Sequence, residues 1–346
     1  MDFLFEYGLF LAKAVTLVIA ILLAIGGIAG IASKQKQRKG ELEITSLSDK
    51  LEDVRDMLRA YVLDKAELKQ LDKEQKKAAK AEKKNKAKKD ESKDPAQGNL
   101  YVIDFDGSMD AHEVDSLREE ITAILTIAND KDEVLVRLES GGGVVHGYGL
   151  AASQLQRIKD KGIKLTVAVD KVAASGGYMM ACVADNVLSS KFAIIGSIGV
   201  IAQIPNFNKL LKKNDVEFEQ HTAGEFKRTL TMFGENNDQG REKFREELEE
   251  VHLMFKDFVQ TNRPELNINQ VATGEYWYGA KALELGLVDK IQTSDDYLID
   301  ANENKEIYAV KYSVKKNIAE RFSMAALKSV EATLMKLWQR SQQVIK

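Results

Sequence analysis

The stretch KLTVAVDKVAASGGYMMACVAD, Lys164–Asp185, carries much of the information about the fold. A short apolar run rich in valine, typical of a buried strand, leads into a Ser-Gly-Gly turn, and a second apolar run follows. Most Ser-Gly-Gly tripeptides are ordinary turns, because glycine adopts the backbone angles that turns need. Here the turn leads from a strand into a helix, which would place the Ser175 hydroxyl at the mouth of a site where a nucleophile is useful.

Outward from this stretch, strands alternate with amphipathic helices. The pattern predicts strands at 100–107, 133–140 and 164–170 and helices at 110–130, 144–162 and 238–262. Such alternation predicts parallel βαβ units and therefore an α/β fold. Ligands of open α/β sheets lie outside the carboxyl ends of the strands, where both ESGGG (Glu139–Gly143) and the Ser-Gly-Gly turn fall. We therefore expect both glycine-rich loops to line one crevice.

Charge is unevenly distributed along the 346 residues. Residues 1–94 hold 20 Lys and Arg against 16 Asp and Glu, whereas the rest of the chain holds 30 against 37. Because the part with a folded pattern is mildly acidic, the composition argues against a dedicated nucleic-acid-binding protein. The single cysteine, Cys182, excludes an internal disulfide framework and a cysteine-based zinc site. No metal and no cofactor are expected.

The first part of the chain predicts a membrane anchor. AVTLVIAILLAIGGIAGIA, Ala14–Ala32, runs 19 residues without a charge, and a helix of that length spans about 30 Å of hydrocarbon. The alternatives are a core helix and a cleaved signal peptide, but the run is long for a signal peptide and the start carries Asp2 and Glu6 rather than a basic cluster. Four basic residues within 34–39 would, by the positive-inside rule, place the remainder in the cytoplasm.

A charged segment follows and separates the anchor from the βαβ pattern. Residues 41–70 place apolar side chains at helical spacing, and residues 73–94 contain ten lysines. The lysine-rich stretch is interpreted as a solvated helix or a disordered linker that could attract anionic lipid headgroups. The resulting domains are an anchor at 1–33, a charged helical or disordered arm at 34–97, a catalytic domain at 98–300, and a C-terminal strand and amphipathic helix at 301–346.

The glycine-rich loops favour acyl transfer over nucleotide binding. Neither loop matches a dinucleotide-binding fingerprint or a phosphate-binding loop. Backbone N–H groups of glycines can approach a developing oxyanion without a side chain in the way. The general base stays open at this point, because no histidine has a clear carboxylate partner and the spacing selects no particular lysine. The histidines are His112, His146, His221 and His252.

Five segments together resemble the signal peptide peptidase A family of serine-lysine proteases, and in particular its membrane-anchored SohB-type branch. They are RLESGGGVVHGYGLA (137–151), DKVAASGGYMMACVAD (170–185), IIGSIGVI (194–201), AGEFKRTL (223–230) and TGEYWYGAKALELGLVDKI (273–291). The resemblance implies that Ser175 is the nucleophile, that Lys227 is the general base and that Ser197 orients the lysine.

The resemblance also implies an oxyanion hole made by the N–H of Gly176 and one from the pair Gly142 and Gly143. Gly141 stands where the family usually has proline, which leaves the second donor open between those two glycines. The implied fold is the Clp-protease and crotonase-like α/β spiral, assembled as a ring-like homo-oligomer. The apolar stripe of residues 315–343 agrees with packing on the domain or on a neighbour.

The function implied is that of a single-pass, membrane-anchored serine endopeptidase of the bacterial inner membrane. Its partners would be the lipid bilayer and peptide substrates, namely signal-peptide remnants or other small membrane-associated peptides. The family implies a periplasmic protease domain, whereas the charges after the anchor favour the cytoplasm. Two alternatives stay open: a crotonase-like enzyme acting on an acyl-thioester, and a non-catalytic membrane-tethered scaffold on the same fold.

Overall fold

The computed structural model describes residues 40–64, 66–70 and 98–314, together with positions 7, 8, 10, 11, 13, 16, 73 and 77. The chain divides into two compact units, Leu42–Tyr312 and the combination of Met1–Glu41 with Ser313–Lys346. Nearly all described residues belong to the former. Apart from single positions, the predicted anchor at 14–32, the lysine-rich stretch at 73–94 and the amphipathic stretch at 315–343 lie outside the described residues. Within the described ranges, no helix has the length and apolar character needed to cross a bilayer.

Strands and helices alternate over most of the described chain. The strands are β1 (Glu41–Ser46), β2 (Leu100–Gly107), β3 (Glu133–Ser140), β4 (Lys164–Val169), β5 (Val172–Ala174), β6 (Asn186–Ser189), β7 (Ile194–Gly196), β8 (Tyr276–Tyr278), β9 (Lys290–Ile291) and β10 (Ile307–Ser313). The helices are α1 (Leu47–Val62), α2 (Val114–Leu125), α3 (Val145–Asp160), α4 (Gly176–Ala181), α5 (Asn208–Lys213), α6 (Asp238–Asn262), α7 (Ile268–Val271), α8 (Gly279–Glu284) and α9 (Ser294–Ala301).

The strands form one sheet with a side branch. The main path runs β1-β10-β2-β3-β4-β6-β9, and every registered pair from β10 to β9 is parallel. The branch begins where Ser140 at the end of β3 pairs with Ala173 of β5. It continues through β7, parallel to β5, and ends at β8, which is antiparallel to β7. The predicted α/β class is confirmed, and Ser175 and Ser197 directly follow strands β5 and β7 of the branch.

The central strands are buried on both faces, as parallel strands covered by helices require. Along β2, Tyr101, Ile103 and Phe105 belong to a large core shared with α2, α3 and α4. Leu100 and Val102 belong to a smaller core on the other face, shared with Leu298 of α9. Because the two faces alternate along each strand, both cores fix the register of the sheet.

Two features of the charged arm and the C-terminal part differ from a simple reading of the sequence. The helical spacing predicted within 41–70 forms a helix only from Leu47, and Glu41–Ser46 is strand β1. The Ser46 side chain accepts a hydrogen bond from the N–H of Asp49 and so caps α1 at this change. Strand β10, from the predicted C-terminal segment, lies inside the sheet between β1 and β2.

One stretch of the domain is almost uncovered. None of the residues 201–237, here called the exposed segment, is buried. Its internal packing is a small aromatic cluster in which Phe233 stacks on Phe207 at 6.1 Å and contacts Phe218 at 5.8 Å between ring centroids. Little apolar area therefore fixes the exposed segment, which carries Lys227.

Candidate active site

Ser175 occupies a sharp turn between strand β5 and helix α4. Its φ of 52° and ψ of −119° lie in a region that residues other than glycine rarely adopt. The surrounding structure holds the turn, since the Ser175 N–H donates to the Gly196 carbonyl at 2.8 Å and its carbonyl accepts from the N–H of Met179 at 3.0 Å. The side chain makes no capping hydrogen bond to α4 and is half-buried. The hydroxyl is therefore presented at the carboxyl end of β5.

The loop after β3 lies directly against this turn. Gly142 has φ of +84°, and a Cβ added there would lie 2.6 Å from the Gly176 nitrogen, 2.7 Å from the Ala174 oxygen and 2.7 Å from Ser175 Cβ. A side chain at position 142 would force these atoms apart, because a Cβ atom needs more room than that. The structure thus brings the two glycine-rich loops into contact.

The amide groups of these loops have different hydrogen-bonding roles. The Gly142 N–H donates to Ser140 Oγ at 3.1 Å. The Gly143 N–H has no acceptor among the described residues. Gly176 is the first residue of α4, so its N–H has no acceptor within the helix. The N–H groups of Gly143, next to the contacting Gly142, and of Gly176, next to Ser175, can therefore donate hydrogen bonds to an anionic ligand.

Ser197 lies next to Ser175 across the sheet branch. Ala174 of β5 pairs with Gly196 of β7, so the two serines follow paired residues at the same end of parallel strands. Ser197 has φ of +51° and is half-buried. Its hydroxyl donates to the Gly274 carbonyl at 3.5 Å, a long and weak hydrogen bond. The Ser197 side chain can therefore turn to another partner at little cost.

Lys227 is not brought into this group. It lies in the exposed segment with its side chain in solvent, and its N–H donates to the Gly224 carbonyl at 3.2 Å. Among the described residues, no hydrogen bond or ion pair joins its amino group to Ser175 or Ser197. It lines a cavity of about 870 Å³ together with Phe218, Met232 and other residues of the exposed segment. That cavity is mainly apolar in its lining.

One histidine belongs to a polar cluster that the sequence analysis missed. After β2, the Ser108 hydroxyl lies 2.7 Å from Asp110, 2.8 Å from His112 Nδ1 and 2.8 Å from Glu113. Hydrogen bonds from Ser108 and His112 lower the pKa of the Asp110 carboxyl to about 2, and the same contact raises the pKa of His112. Two carboxylates beside the Ser108 hydroxyl would repel an oxyanion, so Ser108 is a poor candidate for a nucleophile. The cluster instead stabilises the turn ahead of α2.

The other three histidines have no hydrogen bond or ion pair with Ser175 among the described residues. His146 is exposed on α3, His221 is exposed with Glu219 3.5 Å away, and His252 Nε2 lies 3.1 Å from the Ala272 carbonyl. No grouping of three or more potential metal ligands occurs within the part of the chain that the structure describes.

Comparison with known proteins identifies relatives across the whole chain. Residues 2–155 match the family described as Peptidase family S49 N-terminal, and residues 157–308 match Peptidase family S49. A protein named "Probable protease SohB" from Haemophilus influenzae is 52% identical over 332 residues, covering 95% of this chain and 94% of that protein. One of the same name from Buchnera aphidicola subsp. Schlechtendalia chinensis is 52% identical over 86% of this chain and 99% of its own length.

A solved structure shows weaker similarity. A mutant of the 1510-N membrane-bound stomatin-specific protease aligns with a TM-score of 0.39 and 13% identity, over 59% of this chain and 84% of that chain. At that level of similarity the alignment carries no argument about this site.

Proposed function

The chain belongs to peptidase family S49, and from this membership we propose that its peptidase activity uses the Ser175 hydroxyl as the nucleophile. The observation that carries the proposal is the contact between the Ser175 turn and the Gly142 loop. Ser175 Oγ would attack the carbonyl carbon of the peptide bond and form an ester while the amine leaves. Water would then hydrolyse the ester and free the serine.

The two amides beside Ser175 fit the charge that develops in this reaction. The carbonyl oxygen becomes an oxyanion as the tetrahedral intermediate forms, and N–H groups fixed in advance stabilise it. We assign this role to Gly176 and Gly143, because the Gly142 N–H already donates to Ser140 Oγ. Loss of one such donor costs about 10²–10³ in rate in well-studied enzymes.

Lys227 is proposed as the general base, with Ser197 orienting it. A neutral amine would take the Ser175 proton and later give it to the leaving amine, and burial is what keeps a lysine neutral near pH 7. Because the Lys227 side chain is in solvent in the single chain, the exposed segment has to close over Ser175 or be covered by another subunit. Exposed apolar side chains of this segment, Phe226, Met232 and Phe233, would be buried in the same step.

The remaining parts of the proposal concern setting and substrate. We propose a spiral domain that forms ring-like homo-oligomers and is held at the bacterial inner membrane by residues 14–32, on the periplasmic side. Its substrates would be signal-peptide remnants or other small membrane-associated peptides. The apolar lining of the cavity beside Lys227 supports a preference for apolar side chains.

Labelling with a fluorophosphonate probe tests the nucleophile, and hydrolysis of fluorescein-labelled casein tests the activity. We expect the wild type to be labelled and active and Ser175→Ala to lose both. Ser153→Ala is the matched control, because it removes an exposed hydroxyl on α3 that donates to the Gly149 carbonyl at 2.8 Å, and it should leave both unchanged. Full labelling and hydrolysis by Ser175→Ala would refute the proposal, whereas a wild type that is neither labelled nor active would favour the crotonase-like or scaffold alternatives.

The base is tested separately with Lys227→Ala. We expect labelling and hydrolysis to fall by about 10²–10⁴, whereas Lys212→Ala should have no effect. Lys212 lies in the same exposed segment, where its amino group pairs with Glu235 at 3.1 Å. If Lys227→Ala retains the wild-type rate while Ser175→Ala is inactive, another group is the base and the nucleophile assignment stands.

A further inference from the structure

A buried tyrosine and serine lie beneath the two amides. Tyr148 on α3 is fully buried and Ser140 at the end of β3 is nearly so. The Tyr148 hydroxyl lies 2.5 Å from Ser140 Oγ and donates to the Ser108 carbonyl at 2.8 Å. Its single hydrogen is thereby used, so Ser140 must be the donor in the contact between the two hydroxyls.

These contacts form one directed chain of hydrogen bonds. The Gly142 N–H donates to Ser140 Oγ, Ser140 donates to Tyr148, and Tyr148 donates to the Ser108 carbonyl. The other acceptor within reach of Ser140 is the Gly107 carbonyl, at a weak 3.4 Å. Burial raises the pKa of the Tyr148 phenol, so this hydroxyl stays protonated and the chain stays intact.

The same two residues also contact the first turn of α4. A Cβ added to Gly176 would lie 2.4 Å from Cγ of Tyr148, and one added to Gly177 would lie 2.5 Å from the Ser140 carbonyl oxygen. The tyrosine ring is fixed from below by an edge-to-face contact with Phe105, with ring centroids 6.5 Å apart. The Gly176 amide and the Gly142 loop are therefore both positioned against one buried pair.

The far end of the glycine loop is tied to the same region. The N–H of Val144 donates to the Met109 carbonyl at 2.8 Å, and Met109 follows the Ser108 carbonyl that accepts from Tyr148. The Gly143 amide lies between two residues whose own amides are held, one through Ser140 and one through Met109. The distance between the Gly143 and Gly176 amides thus depends on this network.

We infer that Tyr148 and Ser140 are positioning residues, which set the spacing and direction of the Gly143 and Gly176 amides for the oxyanion. This inference rests on the proposed function. The pair touches no reacting atom, and it acts through Gly142 on one side and through Gly176 on the other. Removal of the tyrosine hydroxyl leaves the ring beneath Gly176 but frees Ser140 to turn toward Gly107, which takes the acceptor away from the Gly142 N–H.

The test is Tyr148→Phe, with the fluorophosphonate probe as the substrate analogue whose phosphoryl oxygen would occupy the same position as the oxyanion. We expect the maximal labelling rate to fall by about 10- to 100-fold, with the half-saturating probe concentration unchanged. Tyr178→Phe is the matched control, because its hydroxyl is equally buried and donates to the Leu287 carbonyl at 2.9 Å, away from the loop. It should lower the melting temperature by a similar amount without lowering the labelling rate.

Ser140→Ala supplies a second variant and a coupling measurement. It should slow labelling to a similar extent, and the double variant with Tyr148→Phe should be no slower than the slower single variant, because both changes break one network. A wild-type labelling rate in Tyr148→Phe and Ser140→Ala would overturn the inference, as would an equal loss of rate in Tyr178→Phe. Both results leave the protease proposal intact if Ser175→Ala is unlabelled, whereas labelling of Ser175→Ala refutes that proposal by itself.

Discussion

Substitution of Gly142 by alanine is the sharpest test of the geometry around Ser175. Alanine would have to adopt φ of +84°, which costs about 1–2 kcal/mol in the left-handed region. Its Cβ would also lie 2.6–2.7 Å from three neighbouring atoms, two of them backbone atoms, where ordinary contacts begin at 3.4 Å. These atoms therefore have to separate by about 0.7–0.8 Å, the difference between those distances.

A displacement of that size acts directly on the amides that we propose as oxyanion donors. One of the crowded atoms is the Gly176 nitrogen, and the neighbouring amide of Gly143 has to move with the loop. A misplacement of about 1 Å in a catalytic arrangement costs about 10² in rate. We therefore expect Gly142→Ala to lower fluorophosphonate labelling and casein hydrolysis by about 10² or more, and the free energy of unfolding by about 2–4 kcal/mol.

Gly141→Ala is the matched control for this experiment. It adds the same methyl group one residue earlier, where no atom lies within 4 Å of the added Cβ and where φ is not positive. Activity should stay within about twofold of the wild type, and stability should rise slightly because alanine restricts the unfolded chain. Labelling and unfolding are both measured on the purified full chain. Equal rates for the Gly142→Ala and Gly141→Ala proteins would refute the reasoning about the loop contact.

Three further predictions concern buried groups away from Ser175. Burial raises the pKa of Glu120, which accepts from the Tyr312 N–H at 2.8 Å, to about 7. The folded state therefore holds this proton more tightly than the unfolded state, and the free energy of unfolding falls as pH rises from about 4.5 to about 7. Glu120→Gln should consequently raise the melting temperature at about pH 8 but not at about pH 4. Arg263 donates to Asp289 at 2.7 and 2.8 Å and is mostly buried, so Arg263→Ala should lower the free energy of unfolding by about 2–4 kcal/mol in urea titrations. Burial raises the pKa of Cys182 to about 12, so a thiol reagent at about pH 8 should modify the protein only after unfolding.

Each of these predictions has a result that contradicts it. If the melting temperature of Glu120→Gln differs from that of the wild type by the same amount at both pH values, the carboxyl does not titrate in this range. Lys281→Ala removes an exposed ion pair with Glu284 and should cost less than about 0.5 kcal/mol, so an equal cost for Arg263→Ala would contradict its burial argument. Rapid modification of Cys182 in the native protein would mean that α4 opens readily.

The strands of the βαβ core and the long helix Asp238–Asn262 follow directly from the sequence, but the start of α2 does not. The strands predicted at 100–107 and 133–140 have the observed bounds, because continuous apolar runs in parallel strands are distinctive. The helix predicted from residue 110 begins only at Val114. Side chains of the intervening turn bond to Ser108, and Ala111 has φ of +54°, so local hydrogen bonds displace the first helical turn.

The sequence predicts only part of the candidate site, because it indicates where strands end but not which side chains bond to each other. The sequence places Ser175 and the glycine loop at strand ends, and the structure brings them together. The sequence does not predict the hydrogen bond between Tyr148 and Ser140, because a tyrosine within an apolar helix face looks like an ordinary core residue. The position of Lys227 relative to Ser175 stays a prediction, since the exposed segment has too little buried surface to determine it.

The place of β10 in the sheet constrains the order of events during synthesis. Residues 307–309 of β10 pair with Leu100–Val102 of β2. Strand β2 is therefore synthesised about two hundred residues before the strand with which it pairs. Until that stretch leaves the ribosome, β2 has an open edge and the small core on its outer face lacks Ile307. A nascent chain can therefore contain every residue around Ser175 and still be an unfinished, aggregation-prone protein, which delays proteolytic competence until translation of this domain is nearly over.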